Sequence, residues 1–453
     1  MKSIHASFSN SDRSITEGTI WKALLSFFFP ILLGTLFQQL YNTIDAFVVG
    51  QFVGTEALAS VGGTTAVYVN LLVGFFVGLS SGAGVMISQF YGAKDRVNIS
   101  QAVHTAIMLS VIGGAIIMVL GMLCTNLMLT LTKTPKDVVP LSRVYLLIYF
   151  TGTIPMFIYN MGSGILRAVG DSTTPLVIIA IGCGGNILLD LLFVLVLHQG
   201  VRGVALATVL CQTLCAAIVT TLLLKSHDSY ALRLKDLRLS GHILREMLRI
   251  GFPAGIQSSL YTISNLIIQT NFNLFGTQTV AAWAAFGKID GVFWMTVNAF
   301  GIAVTTFAGQ NAGAKHYDRV KKGMWQTLLM TVIATAVFCL TFWFFGEVLY
   351  RLFAKDPVVI ATGMDILHFM IPWWITYIAI EVLSGTIRGV GNSFVPMIIT
   401  VFGVCGLRIL WLFTAVAKNT TLHMVLLSYP ITWIVTSLVF WIYYLSGRWL
   451  PKT

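Results

Sequence analysis

The sequence predicts an all-α membrane protein: twelve transmembrane helices arranged as two related six-helix halves. Three observations predict it. The composition is too apolar for a water-facing surface, apolar runs long enough to cross a bilayer recur along the chain, and a set of landmarks repeats at one offset. Of 453 residues, 56% are hydrophobic and only 10% charged, with a mean hydropathy of +0.83. A soluble domain carries about 25% charged residues, and here the charges are confined to short connectors.

Apolar runs of about 18 residues or more read as spanning helices. In lipid the backbone must satisfy its own hydrogen bonds, which favours helices over open strands. Twelve spans are expected at roughly 21–47, 57–82, 101–126, 141–165, 175–198, 202–224, 250–274, 279–308, 324–346, 360–384, 395–416 and 422–446. Residues 1–20 are mostly polar and lead directly into the first run, so no cleavable signal is expected.

An even number of spans puts both termini on one side. The connectors and termini of that side carry nineteen Lys and Arg, among them Lys94, Arg96, Arg167, Arg233 and Lys315. The opposite connectors carry seven: Lys133, Lys136, Arg143, Arg202, Arg351, Lys355 and Lys418. The positive-inside rule then predicts a multi-pass protein of the cell membrane with both termini cytoplasmic. The formal charge of +11 is thereby a topology signal, and no nucleic-acid partner is expected. Cys124, Cys183, Cys211, Cys215, Cys339 and Cys405 all sit in apolar runs without zinc or redox spacing, so they read as small packing residues.

The halves repeat at an offset near 221. Gly164-Ile-Leu-Arg167-Ala-Val-Gly170 is echoed by Gly385-Thr-Ile-Arg388-Gly-Val-Gly391, and Gly92-Ala-Lys94 by Gly313-Ala-Lys315. Gly54-Thr55-Glu56 matches Gly276-Thr277-Gln278, and Pro30 matches Pro253. Because the offset covers six spans, both copies keep one orientation, related by an axis along the membrane normal. The expected division is an N-terminal lobe, 1–235, and a C-terminal lobe, 236–453, with a charged cytoplasmic linker at about 225–249.

These landmarks, with Gln38 and Asp45 in the first span, Gln89-Phe-Tyr-Gly92, Asn186-Ile-Leu-Leu-Asp190 and Gly251-Phe-Pro253, together resemble the multidrug and toxic compound extrusion (MATE) family over essentially the whole chain. The resemblance implies two six-helix bundles around a central cavity. It also implies export of drugs or metabolites in exchange for Na+ or H+, without a cofactor, by a chain expected to be monomeric.

Few acids lie deep in spans: Asp45, Asp190, Asp290 and Glu381. An intramembrane carboxylate is expensive and is a functional candidate by default. Asp45 and Asp190 are both about 15 to 24 residues up from the cytoplasmic end of their helices, and Thr208 lies at a compatible depth on the sixth span. Asn186 and Asp190, four residues apart, share a helix face. A lone Asn or Thr in a span more often only bonds helices together. Two acids at compatible depth need a cation or proton between them. The resemblance carries Asp45, Asn186, Asp190 and Thr208 over to the family's coupling-ion or proton site, and leaves Na+ and H+ equally open.

The second lobe differs. NorM-type members of the family place acids in spans seven and ten, where this sequence has Tyr261 and Tyr377, so a Na+ site of that type is not expected there. Glu381 is either a cavity residue or the partner of a neighbour such as Lys288. Arg408 reads as structural, and Arg167 and Arg388 as helix caps or interfacial anchors. Gln38, Tyr41, Asn42 and Asp45 form a polar face on span one, and Gln257, Tyr261 and Asn265 another on span seven. The candidate substrate cavity is therefore Gln38, Tyr41, Asn42, Gln257, Tyr261, Tyr377 and Glu381. With sixteen Met and thirty Phe in reserve, cationic amphiphiles are the expected small-molecule substrates.

Alternating access by rocking bundles is the expected mechanism, with Pro30, Pro155, Pro253 and Pro372 as candidate bending points. A flippase of lipid-linked or anionic amphiphiles on the same architecture is the alternative; it would need a cationic cavity. An enzyme is not expected, because His104, His198, His368 and His423 are scattered without paired ligand spacing.

Overall fold

The computed structural model describes residues 15–132 and 134–450; Lys133 and the polar stretch before residue 15 lie outside them. Among the described residues the chain is helical, with no strand. Spans 1 to 3 are Ile20–Phe52, Thr64–Gly92 (led in by the short helix Thr55–Gly62) and Arg96–Leu131. Span 4 is Val139–Thr151 joined to Thr153–Ala168 at a 50° bend. Span 5 is Thr173–Leu191 and ends in a π-helical turn, Leu192–Val196; span 6 is Gly200–Lys225. Spans 7 to 9 are Gly241–Phe272, Thr277–Gly313 and Tyr317–Phe353. Span 10 pairs Pro357–Met370 with Trp374–Gly389 through a 3-10 turn at Ile371–Trp373, span 11 runs from Phe394 to Val416 with two π segments, and span 12 from Leu422 to Leu445.

Ten of these helices, or eleven with the bent pair, are long and apolar enough to cross a membrane. The remaining one is Gly241–Phe272, 32 residues long but rich in Gln, Ser, Thr and Asn. Its polar flank is accommodated because it lies against span 2 and the cavity. Gly78 meets the backbone of Ala254 and Gly255, and Gly82 that of Met247 and Gly251, so neither position has room for a Cβ. Gly74 continues the seam against Ser258. Small residues let two backbones approach in lipid, where packing must replace the hydrophobic effect.

Buried apolar side chains gather in separate cores. The largest runs from Ile268 to Trp449 around Trp374, Trp433, Phe293 and Phe440. The second runs from Phe76 to Ile250 and takes in Ile243 and Met247, so the N-terminal end of span 7 packs with the first half. The connector before it is docked there too: buried Leu232 joins that core, and the His104 ring, with Nδ1 at 2.6 Å from the Ser100 carbonyl, accepts the Arg233 backbone N–H at Nε2 over 3.0 Å. His104 is thereby occupied structurally.

Span 1 bridges the halves. Leu24, Phe27, Phe28 and Ile31 bury against Ala299, Phe300, Ala303 and Phe307 of span 8, with Phe28 stacked on Phe300 at 3.9 Å. Beyond Pro30 the helix turns to the first half, where Gly34 faces Ile179. Pro30 and Pro253 lie inside unbroken helices, whereas Pro155 and Pro372 accompany real breaks in spans 4 and 10.

At the end of the molecule that carries most of the basic connectors, the repeat is geometric as well as sequential. Lys94 and Lys315 take left-handed φ values of 58° and 61°, and Gly170 and Gly391 take 102° and 100°. The Gln89 side chain donates to the Gly389 carbonyl at 2.8 Å, and the Gln310 side chain to the Ala168 carbonyl, also at 2.8 Å. Gly92 and Gly313 lie so close to the backbones of Gln310 and Gln89 that a Cβ on either would overlap a carbonyl. The two halves are thus sealed together at this end.

Candidate functional site

Two sites emerge, one inside the first bundle and one between the bundles. In the first, Asp45 of span 1 is buried and faces Asp190, Thr208 and Asn186. The single Thr208 hydroxyl proton is shared between Asp45 Oδ2 at 3.3 Å and the Val204 carbonyl at 3.1 Å. Asn186 and Asp190 lie one turn apart on span 5, just before its π turn, and both are almost wholly buried. One oxygen of Asp45, both oxygens of Asp190 and both amide atoms of Asn186 have no hydrogen-bond partner among the described residues. Leaving a buried polar atom unpaired costs about 1–3 kcal/mol, and more when it is charged. Four of these atoms are oxygens and the fifth is the Asn186 amide nitrogen, and the oxygens define a receptor for a hard cation or a proton shared by the acids.

The donor set fits either guest. Carboxylate, amide and hydroxyl oxygens suit a hard monovalent ion, and no group of three His, Cys, Asp or Glu among the described residues is arranged for a tighter metal site. The surrounding shell was not evident in the sequence. Tyr145 and Tyr149 of span 4 lie close to Asp45, and their rings stack at 5.9 Å. Their spacing of four residues was the available signal. Tyr41 turns toward these rings and Gln212, away from the central cavity, while Gln38 and Asn42 are exposed.

The second site is a cavity of about 610 Å³ between the bundles, lined by spans 2, 4, 7, 8, 10, 11 and 12. Of the seven residues expected to line it, Gln257, Tyr261, Tyr377 and Glu381 do so, and Asn265 joins them. Gln38, Tyr41 and Asn42 do not. Tyr261 and Tyr377 place their hydroxyls 3.4 Å apart, and Tyr377 reaches Glu381 Oε2 at 3.5 Å. Glu381 lies against the backbone of Gly301, where a Cβ would displace its carboxylate. Trp294, Tyr429 and Trp433 complete an aromatic wall, with Trp294 edge-on to Tyr377 at 4.6 Å.

The charges of this cavity differ from the sequence expectation. Lys288 is exposed and forms no ion pair with Glu381 among the described residues; Asp290 instead accepts the Trp294 indole at 2.5 Å. Arg167 and Arg388 end their helices, where a cation complements the dipole, yet both also line the cavity. Arg408 lines it as well. One carboxylate therefore shares the space with three guanidiniums.

At the offset of the repeat, the second half has apolar Ile268 and Trp411 where the first has Asp45 and Asp190. Ile268 belongs to the buried core. Among the described residues the second half thus carries no carboxylates at the positions equivalent to Asp45 and Asp190.

The MatE family model matches residues 30–192 and 253–414, one segment in each half. The probable multidrug resistance protein YpnP of Bacillus subtilis is 29% identical, over 96% of this chain and 97% of its own length. The FAD transporter of Shewanella oneidensis is 23% identical over 96% of each chain. Among solved structures, a MOP superfamily transporter from Pyrococcus furiosus, reported with a reverse polarity of its binding pocket, superposes with a TM-score of 0.91 at 22% identity. It covers 98% of this chain and 99% of its own.

Proposed function

The chain belongs to the MatE family of transporters, and from that premise we propose an antiporter that couples entry of Na+ or H+ to export of amphiphilic organic molecules. The coarse function, multidrug efflux without enzymatic chemistry, is that of the family. The observation that carries the coupling proposal is the buried cluster of Asp45, Asn186, Asp190 and Thr208 with its unsatisfied oxygens.

In this reading the two lobes, 1–235 and 236–453, rock about the glycine seam between spans 2 and 7, and the inner end of span 7 stays packed on the first lobe. An ion or proton entering at Asp45 and Asp190 removes the repulsion between two bare carboxylates and lets spans 1 and 5 draw together. Span 1 carries that change to the second bundle, because its inner half is seated on span 8 and Pro30 interrupts its hydrogen bonding between the two contacts. The cavity between the bundles then loses its fit for the guest, which leaves outward. Both termini lie in the cytoplasm on this reading, so the sealed basic end is the inner gate.

The experiment is export from vesicles with Na+ and pH gradients imposed separately. Asp45→Asn and Asp190→Asn should each abolish gradient-driven export; undiminished export in both would sink the proposal. The expectation of a cationic guest rested on Glu381 as an unopposed acid. The three guanidiniums in the same cavity remove that support, and the charge required of a flippase of anionic amphiphiles is present after all. We retain soluble amphiphiles as the proposed cargo because the multidrug relatives align over most of both chains.

A further inference from the structure

Arg408 is the most costly side chain in the cavity. It lies about 21 Å along span 11 from the basic end, is only 2% exposed, and holds a charge that proteins do not remove. Among the described residues it has no carboxylate partner. One terminal nitrogen reaches Thr432 Oγ1 at 3.4 Å, the guanidinium sits over the Tyr429 ring at 4.3 Å, and Nε is buried without a hydrogen bond. A buried guanidinium is tolerated where a counter-charge completes its hydrogen bonds.

The one acid of the cavity does not supply that charge. Glu381 sits about 12 Å from the basic end of span 10, held between Tyr377 and the backbone of Gly301. Arg388 is the cation that acts on it. Tyr377 reaches Glu381 at 3.5 Å and Tyr261 at 3.4 Å, and among the described residues no ion pair joins Glu381 to Arg408. Glu381 and Arg388 therefore offset each other low in the cavity, and Arg408 stands alone above, beside Trp433 and Tyr429, whose rings are 5.4 Å apart.

We propose that Arg408 is an anion-recognition residue: it receives the carboxylate or phosphate of an aromatic or apolar guest whose body lies on Trp294, Tyr429 and Trp433. A guanidinium presents a planar fork of donors that matches those groups, and an aromatic wall beside it takes the apolar part. The inference rests on the export reading for its biological sense and assigns the substrate class as amphiphilic anions.

The test is binding to the full-length chain in phosphatidylcholine vesicles, read by energy transfer from tryptophan to a pyrene probe. Pyrenebutyrate and pyrenebutyl-trimethylammonium share one apolar body and differ in the charged group. The wild-type chain should favour the anion, and Arg408→Gln should weaken anion binding about tenfold or more while leaving the cation unchanged or improved. Arg408→Lys should keep part of the anion preference. An unchanged preference in Arg408→Gln, or a wild-type preference for the cation, overturns the proposal. Should Arg408→Gln lose both probes, Arg408→Lys decides, since anion binding kept there supports the assignment and its loss rejects it. Binding needs no gradient, so a chain that binds the anion through Arg408 but exports neither probe refutes the export reading and leaves this assignment standing.

Discussion

The side-chain amide of Gln89 and the carbonyl of Gly389 lie 2.8 Å apart, and the repeat-related pair, Gln310 and Ala168, closes at the same distance. Each bond joins one half of the molecule to the other, so together they form a twofold clasp across the basic end. Each contributes about 1 kcal/mol by the usual net value of a hydrogen bond. Replacing both glutamines by leucine should shift the closed population by roughly thirtyfold. Spin-label distances between the inner ends of spans 2 and 10 should lengthen or broaden, and an unchanged distribution would deny the clasp its role.

Gly92 and Gly313 should be as sensitive. A methyl on either meets a carbonyl of the opposite half, so Gly92→Ala and Gly313→Ala should hold the basic end apart. Gradient-driven export should fall at least tenfold, while binding of a pyrene probe from the opposite face survives. Full export in both variants would contradict the packing.

Neutralising the acids should imitate the loaded coupling site. Asp45→Asn and Asp190→Asn remove the repulsion between the two carboxylates permanently, so the cavity should be held in the state that has lost its fit, and guest affinity should fall several-fold. Export should lose its dependence on the gradient. Unchanged affinity in both variants would deny the cluster its hold on the cavity.

Glu381→Gln should act in the opposite sense to Arg408→Gln. Removing the carboxylate leaves Arg388 without its offsetting charge, and preference for an anionic probe should rise several-fold in the paired-probe measurement. A rise in cation binding would overturn this account of the cavity charges.

Asp95 offers a stability test outside the membrane. Its carboxylate caps span 3 by accepting the Asn98 backbone N–H at 3.1 Å, and that bond, with a second from the Asn98 side chain, holds its pKa below the ordinary value. A lowered carboxyl adds stability above its unfolded pKa of about 3.9 and loses it as pH falls through the folded value. Asp95→Ala should cost about 1 kcal/mol near neutral pH, and the gap in melting midpoint to wild type should close as pH drops below that range. A gap independent of pH would assign the effect to something other than the charged cap.

Much of this was legible in the residues, for identifiable reasons. Twelve spans announced themselves because lipid demands apolar runs, and the loop repeats because Gly170, Gly391, Lys94 and Lys315 share unusual backbone angles. Asp45 and Asp190 stood out because charge in lipid is rare. Their depths were compatible in the sequence, and the structure brings them face to face. The cavity was read less well. Gln38 and Asn42 form one strip of span 1 and Tyr41 and Asp45 a neighbouring strip about 60° away, so a common polar face did not mean a common destination. Arg167 and Arg388 sit where helix ends ordinarily carry cations, which hid their second role in the cavity floor. Arg408 could be noticed, but only the third dimension shows that no acid among the described residues reaches it.

The polar character of Gly241–Phe272 bears on how the protein is made. A helix with so many amide and hydroxyl groups gains little by leaving the translocation channel for lipid on its own. It becomes comfortable only beside span 2, where the glycine seam and the cavity receive its two faces. The first six helices are synthesised earlier and can stand ready as the surface on which the seventh is laid. Changes at Gly78 or Gly82 would then act during biogenesis, lowering the yield of inserted protein before any defect in transport could be measured.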